Sequence, residues 1–288
     1  MEIIPRLNQK KRYPWNIEVY PYLQDHHFDG KVILPAVELL IVLAKVAKIN
    51  FPQVNISYMH KARFFRFLSI SPDTRRLEVF VDIETTDDGV VVASLLTSVK
   101  SKTGTISRTA EHARVEFAAA DYTPSFVPPF RVVNKLKGNC ISVPSTTIYR
   151  ELVPFGTAYQ NIVGDLSVSP EGAVAYVSGG GNEADEDLLG SPFPLDAAMH
   201  AACVWGQRFS GIVPFPVGFE KRIIYKKTKK GGIYLGRVVP VNVKHNSLIF
   251  DAWIYDSDGI IYESISGIQM RDVSQGRLRP PQWIKAEL

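Results

Sequence analysis

Cysteine is nearly missing from this chain of 288 residues: there are two, Cys140 and Cys203, with no paired spacing. No disulfide framework can be built on them, and two reduced thiols in a cytoplasmic protein are the simplest account. Long apolar runs are scarce too. The most apolar stretch, Val32 to Ala47, is interrupted by Pro35, Glu38 and Lys45. A membrane span needs about 20 nearly uninterrupted apolar residues, so this stretch reads as a buried helix and no membrane is implied. The N-terminus, MEIIPRLNQKKRYPW, has no apolar core of signal-peptide length. Strong charge imbalance is also absent. A net charge of +4, without basic clusters interleaved with aromatics, excludes an ordinary nucleic-acid binder. It suits an acidic partner or an acidic small molecule.

What is present is enough for a folded protein. Hydrophobic residues make up 45% and charged residues 22% of the chain, a balance that buries a sizeable core in one large domain or two ordinary ones. A helix is expected over 35–48, with Pro35 in its first turn, where a missing N–H costs nothing. Val37, Leu40, Ile41, Ala44 and Ala47 then recur at helical spacing. Strand-like runs follow: VNISYM, ARFFRFLSI, RLEVFVDIET, VVVASLLTSV and ARVEFA, parted by turn signals such as SPDT and DDG. From Asp121 to about Pro144 the chain is proline-rich and without a period, which marks a linker. The pattern then returns: a strand AVAYV, a helix at about 195–209, and the runs FEKRIIYKK, IYLGRVVPVNV, SLIFDAWIYDS and GIIYESISGIQMRDV, with DSDG as a hairpin turn. The expected architecture is α+β: a double hotdog, two long helices each wrapped by a curved antiparallel sheet. Its units are 1–120, a linker 121–144, 145–275 and a tail 276–288.

Two stretches carry chemistry. In DHHFDGKVILPAVELL, His26 and Gly30 are separated by three residues and Gly30 and Pro35 by four, just before the apolar helix. The glycine permits positive φ or close passage of a ligand. The helix start offers free N–H groups and the positive end of its dipole. Together they suit holding an anionic oxygen while an imidazole removes a proton; a solvated turn histidine is the plainer reading of any single His. In PLDAAMHAACVWGQ, Asp196 and His200 are four residues apart on one helix face among small and apolar neighbours. An acid there is costly unless paired or exposed. Asp196 as a helix cap and Asp196 as a working acid are both open at this point.

The spacing of His26, Gly30 and Pro35 resembles the signature of polyketide synthase dehydratases. FGTAYQNI (155–162) resembles that family's second motif, Tyr-Gly-Pro-x-Phe-Gln-Gly, and LDAAMHAA its third, an aspartate followed four residues later by glutamine or histidine. VPFPVGFEKRIIY and DGIIYESISGIQMRDV resemble the strands closing the second hotdog, and the motifs come in the family's order over most of 15–275. The resemblance implies loss of water from a 3-hydroxyacyl thioester carried on the phosphopantetheine arm of an acyl carrier protein. It implies His26 as the base for the C2 proton, Asp196 as the acid for the 3-hydroxyl, and Gly30, Pro35, His200 and Tyr159 at the substrate. It implies neither a metal nor an organic cofactor, and leaves a homodimer open. A free-standing enzyme meeting its carrier in trans is expected from the length and the methionine start. Departures are Ala36 for the glycine after the motif proline, Val153 for a tyrosine before the second motif, and Thr157 for its proline. Product-template cyclases and double-bond isomerases on the same fold, or a non-catalytic thioester-binding subunit, are the alternatives.

Three other features are set aside. Asp25, His26 and His27 are adjacent, and adjacent side chains converge poorly on a metal that wants three well-placed ligands. SGGGNEAD (178–185) lacks the Lys-Ser/Thr ending of a phosphate loop. Lys226, Lys227, Lys229 and Lys230 form a hairpin tip, either simply solvated or meeting an acidic carrier protein.

Overall fold

The computed structural model describes residues 10–100, 107–118, 127–181, 188–244 and 247–285. Residues 121–126 of the expected linker, 182–185 of the glycine-rich stretch and 286–288 of the tail lie outside them. The first half holds β1 (Lys11–Glu18), the short β2 (His27–Phe28) and β3 (Lys31–Ile33), helix α1 (Ala36–Asn50), β4 (Tyr58–Phe64), the short β5 (Ser69–Ile70), β6 (Arg76–Thr85), β7 (Val91–Lys100) and β8 (Ser107–Phe117). Then come the short helix α2 (Phe130–Val133), β9 (Ile141–Pro144), the one-turn α3 (Ser145–Thr147), β10 (Ile162–Ser169), β11 (Gly172–Ser178) and helix α4 (Phe193–Phe209). Four strands close the chain: β12 (Phe215–Ile224), β13 (Ile233–Lys244), β14 (Ser247–Tyr255) and β15 (Ile261–Arg271).

Twelve of the strands form one antiparallel sheet in the order β1-β6-β7-β8-β4-β12-β15-β14-β13-β11-β10-β9. The two halves join where β4 pairs with β12, with Met59 opposite Arg222 and Ala62 opposite Phe219. Along β6, alternation sends Val79, Val81 and Ile83 inward, and the matching residues of the other strands close over the helices. In α1 every residue from Val37 to Ala47 except Lys45 is buried, as expected of a helix apolar on nearly all sides. Helix α4 is buried from Phe193 to Gln207. The fold is the expected double hotdog, with a single apolar core running through both halves.

Several elements differ in detail from the expectation. Pro35 stands one residue before α1, in extended conformation (φ −61°, ψ 151°), and α1 starts at Ala36. VNISYM becomes strand only from Tyr58, because Asn55 takes Val54–Ser57 into a turn: its side-chain oxygen accepts the Ser57 N–H and its carbonyl the Tyr58 N–H. The run ARFFRFLSI breaks after Phe64 and resumes at Ser69. Besides the short β2, β3 and β9, two longer strands escaped the sequence reading, β1, with its proline and charges, and β10, with a glycine and an aspartate in its middle; both are made by pairing, β1 with β6 and β10 with β11. Ile141–Pro144, inside the stretch read as linker, pairs with β10 at the edge of the sheet.

Candidate active site

His26 follows a short 3₁₀ turn, Pro21–Asp25, and precedes a tight hairpin formed by β2 and β3. The hairpin turn is Asp29-Gly30, both with positive φ (51° and 72°), the conformation a two-residue turn of this hand requires. Gly30 is exposed and supplies the second positive φ of this turn. The turn returns Ile33 to His26: the Ile33 N–H donates to the His26 carbonyl at 3.0 Å, and the His26 Nδ1 lies 3.0 Å from the Ile33 carbonyl. A carbonyl only accepts, so Nδ1 carries the hydrogen and Nε2 keeps the lone pair. The ring packs against Phe155 (centroids 4.3 Å apart) and Tyr159 (5.1 Å). Burial pushes its pKa down to about 4, although the carboxylate of Asp196 pulls the other way. At neutral pH His26 is an uncharged base.

Asp196 and His200 project from α4, which begins at Phe193 after Pro192, with Pro194 in its first turn. The N-cap position of this helix is Pro192, and the Ser191 hydroxyl accepts the Phe193 N–H at 3.4 Å, so Asp196 is not its cap. Its carboxylate is buried instead, and its Oδ2 lies 3.0 Å from His200 Nε2. The two atoms are close without being aligned for a hydrogen bond, so each is a buried polar atom lacking a hydrogen-bond partner among the described residues. On the other side of the ring, the Tyr149 hydroxyl lies 3.4 Å from His200 Nδ1. That oxygen already accepts the Ile162 N–H at 2.8 Å, so its own hydrogen is available to Nδ1. The hydrogen of His200 then sits on Nε2, facing Asp196.

His26 from the first half and Asp196 and His200 from the second line one cavity of about 180 Å³. The acidic and basic groups are thus brought together by the joining of the hotdogs. Helix α1 contributes Ala36 and Leu39 to the wall, whereas α4 contributes Asp196, Met199, His200 and Cys203, a stripe spanning eight residues or about 10 Å along its axis. The mouth lies where the lining residues Phe65, Arg66 and Phe67 are exposed. His112 holds this segment: its carbonyl accepts the Phe65 N–H and its Nδ1 donates to the Arg66 carbonyl.

Pro35, Gly30 and Tyr159 are not among the lining residues. Tyr159 is fully buried behind His26, packed against Tyr22 and Phe193 as well, and its hydroxyl lacks a partner among the described residues. It packs behind His26 and is not part of the cavity wall. His27 is exposed and turned away from His26, with Nδ1 3.1 Å from the Asp25 carbonyl. Sequence reasoning missed Asp25 and Tyr149. The Asp25 carboxylate accepts the Ala158 N–H at 2.9 Å and the Thr157 hydroxyl at 3.3 Å, and its carbonyl accepts the Gly156 N–H at 2.8 Å. It ties the histidine segment to FGTAYQNI. Nothing local marks either residue; the adjacency of Asp25 to His26 was the one available hint.

Comparison with known proteins agrees with the double hotdog fold. Residues 142–280 match the family model described as polyketide synthase dehydratase N-terminal domain. Among solved structures, the chain is similar to the dehydratase domain from the CurJ module of the curacin polyketide synthase, at 16% identity and a TM-score of 0.72 over 93% of this chain and 96% of that one. A trans-AT polyketide synthase dehydratase domain from Brevibacillus brevis matches at 17% identity and a TM-score of 0.70, over 92% and 94% of the two chains. The dehydratase domain of PpsC from Mycobacterium tuberculosis, solved in complex with C12:1-CoA, matches at 19% identity and a TM-score of 0.65, over 92% and 97%. No curated protein matches the chain in sequence.

Proposed function

Residues 142–280 match the polyketide synthase dehydratase family model, and from that premise we propose that the chain removes water from a 3-hydroxyacyl thioester delivered by an acyl carrier protein. The observation that carries this reading is the pairing, in one apolar cavity, of an uncharged imidazole with a buried carboxyl group from the other half. In the proposed reaction His26 Nε2 takes a proton from C2. The electrons of the C2–H bond form the double bond to C3, and the C3–O bond breaks as protonated Asp196 donates to the departing hydroxyl, releasing water. The first residues of α1, whose N–H groups have no intrahelical acceptor, sit beside the cavity at Ala36. They are placed to favour negative charge growing on the thioester oxygen.

The low basicity of free His26 is compatible with this work. As the proton passes to His26, Asp196 loses its own, so an imidazolium and a carboxylate form together. The attraction that raises the His26 pKa in the presence of charged Asp196 therefore grows along the reaction. His200, whose Nε2 lies 3.0 Å from Asp196 Oδ2, would hold that oxygen once its ring turns into line and leave the other to carry the transferred proton.

His26→Ala or Asp196→Asn is expected to lower dehydration of a 3-hydroxyacyl pantetheine thioester by about 100-fold or more, the usual scale for a general acid or base. The double mutant should be little worse than the poorer single one, because the two groups act as a unit. Hydration of the matching enoyl thioester should fall in parallel, since the reverse reaction crosses the same barrier. His27→Ala should be nearly harmless; loss of turnover there, with His26→Ala active, would overturn the assignment.

A further inference from the structure

Away from His26, Asp196 and His200, the buried wall of the cavity is hydrocarbon and sulfur. Leu39 comes from α1, Met199 and Cys203 from α4, Met270 from β15, and Val153 and Phe155 from the chain leading into FGTAYQNI. Cys203 is the one weak donor among these six; its sulfur accepts from the Gln207 side-chain amide at 3.5 Å, which leaves a poor S–H as all these six side chains can donate. The charged side chain of Arg66 stands at the exposed mouth. A thioester bound with C2 and C3 at His26 and Asp196 therefore runs its remaining carbons past side chains that offer an oxygen nothing stronger than the Cys203 S–H.

Resting on the dehydratase reading above, we propose that this cavity selects acyl chains whose carbons beyond C3 bear no oxygen: reduced, hydrocarbon-tailed 3-hydroxyacyl thioesters rather than polyketone or polyhydroxy chains. A hydroxyl or carbonyl at C5 gives up its water on entry and meets no side-chain partner. Leaving such a group unsatisfied costs about 1–3 kcal/mol. An apolar pocket rejects an added hydroxyl by no more than about 100-fold, so the expected discrimination is about 10- to 100-fold. The same argument disfavours aldol ring closure of a polyketone chain in this site.

The test compares kcat/KM of the whole chain for 3-hydroxyhexanoyl and 3,5-dihydroxyhexanoyl pantetheine thioesters, with uncatalysed loss subtracted. A preference of about 10-fold or more for the hydrocarbon tail is expected. Val153→Thr, which puts a hydroxyl on the wall, should narrow that preference by raising turnover of the dihydroxy substrate; Phe155→Tyr offers the same hydroxyl from the neighbouring position if Val153→Thr does not fold. Equal turnover of the two substrates by the unmodified chain would overturn the selection and leave the dehydratase reading standing. Turnover of neither would overturn both.

Discussion

The carbonyl of Ile33 decides which nitrogen of His26 carries its hydrogen, and burial decides whether the ring carries one hydrogen or two. The consequence is a pH profile. A histidine in water would begin to lose its basic form below about pH 6.5. His26, with its pKa pushed down to about 4, stays unprotonated well below that. The acid limb of kcat/KM should therefore fall near pH 4, with little loss between pH 7 and 5.5. A profile recorded on a soluble thioester, with the folded fraction checked at each pH, measures it; an acid limb near 6.5 would mean that another group is the base. Stability should move in the same direction. Between about pH 6.5 and 4 the unfolded chain binds a proton at this position that the folded chain refuses, so the stability His26 contributes is complete above 6.5 and is lost as pH falls through 4.

At the scale of elements, the site depends on a loop-to-loop clamp. The 3₁₀ turn that ends at Asp25 and the FGTAYQNI segment meet through the Asp25 carboxylate and carbonyl, 131 to 133 residues apart in sequence. Gly156 sits at φ −69°, an ordinary value, so backbone strain does not require glycine there. Space does: a Cβ at 156 would run into the Asp25 carboxyl group. Gly156→Ala should destabilise the fold by about 1–3 kcal/mol, the usual cost of overpacking. Its effect should be less than additive with Asp25→Ala, because the second change removes much of what the first collides with. Urea unfolding of the two single mutants and the double mutant measures both quantities. Full additivity would show that the contact is not felt.

For the whole molecule, the sheet sets distances that the sequence does not display. Strand β12 begins at Phe215, which lines the cavity, and ends at Ile224. At about 3.3 Å per residue its ends are roughly 30 Å apart. Lys226 to Lys230 lie beyond that far end, where Thr228 bonds to Ser191 beside the start of α4, while the mouth opens at Phe65–Phe67. The lysines are therefore poorly placed to receive a carrier whose arm enters by the mouth. Reversing the charge of Lys229 and Lys230 should leave the rate with carrier-bound substrate unchanged at low and at physiological salt. A rate that drops on reversal, and more steeply at low salt, would restore the lysines as a docking surface.

Within the chain, local pattern was sufficient for both long helices and for most strands, because apolar periodicity and turn residues act over a few positions. RLEVFVDIET is the strand Arg76–Thr85, and the two halves repeat one plan. His26 and Asp196 stood out locally, one at the threshold of an apolar helix and the other within one, but their candidate roles as base and acid came from the resemblance of the motifs in order. What tertiary structure alone decided is which groups meet. The placing of Tyr159 behind His26, the Tyr149 hydroxyl at His200 and the grip of Asp25 on Ala158 all join residues from 51 to 133 positions apart. Such contacts exist only after β4 and β12 pair and the halves close on a common core. Periodicity records which face of an element is buried; it holds no record of what that face is buried against.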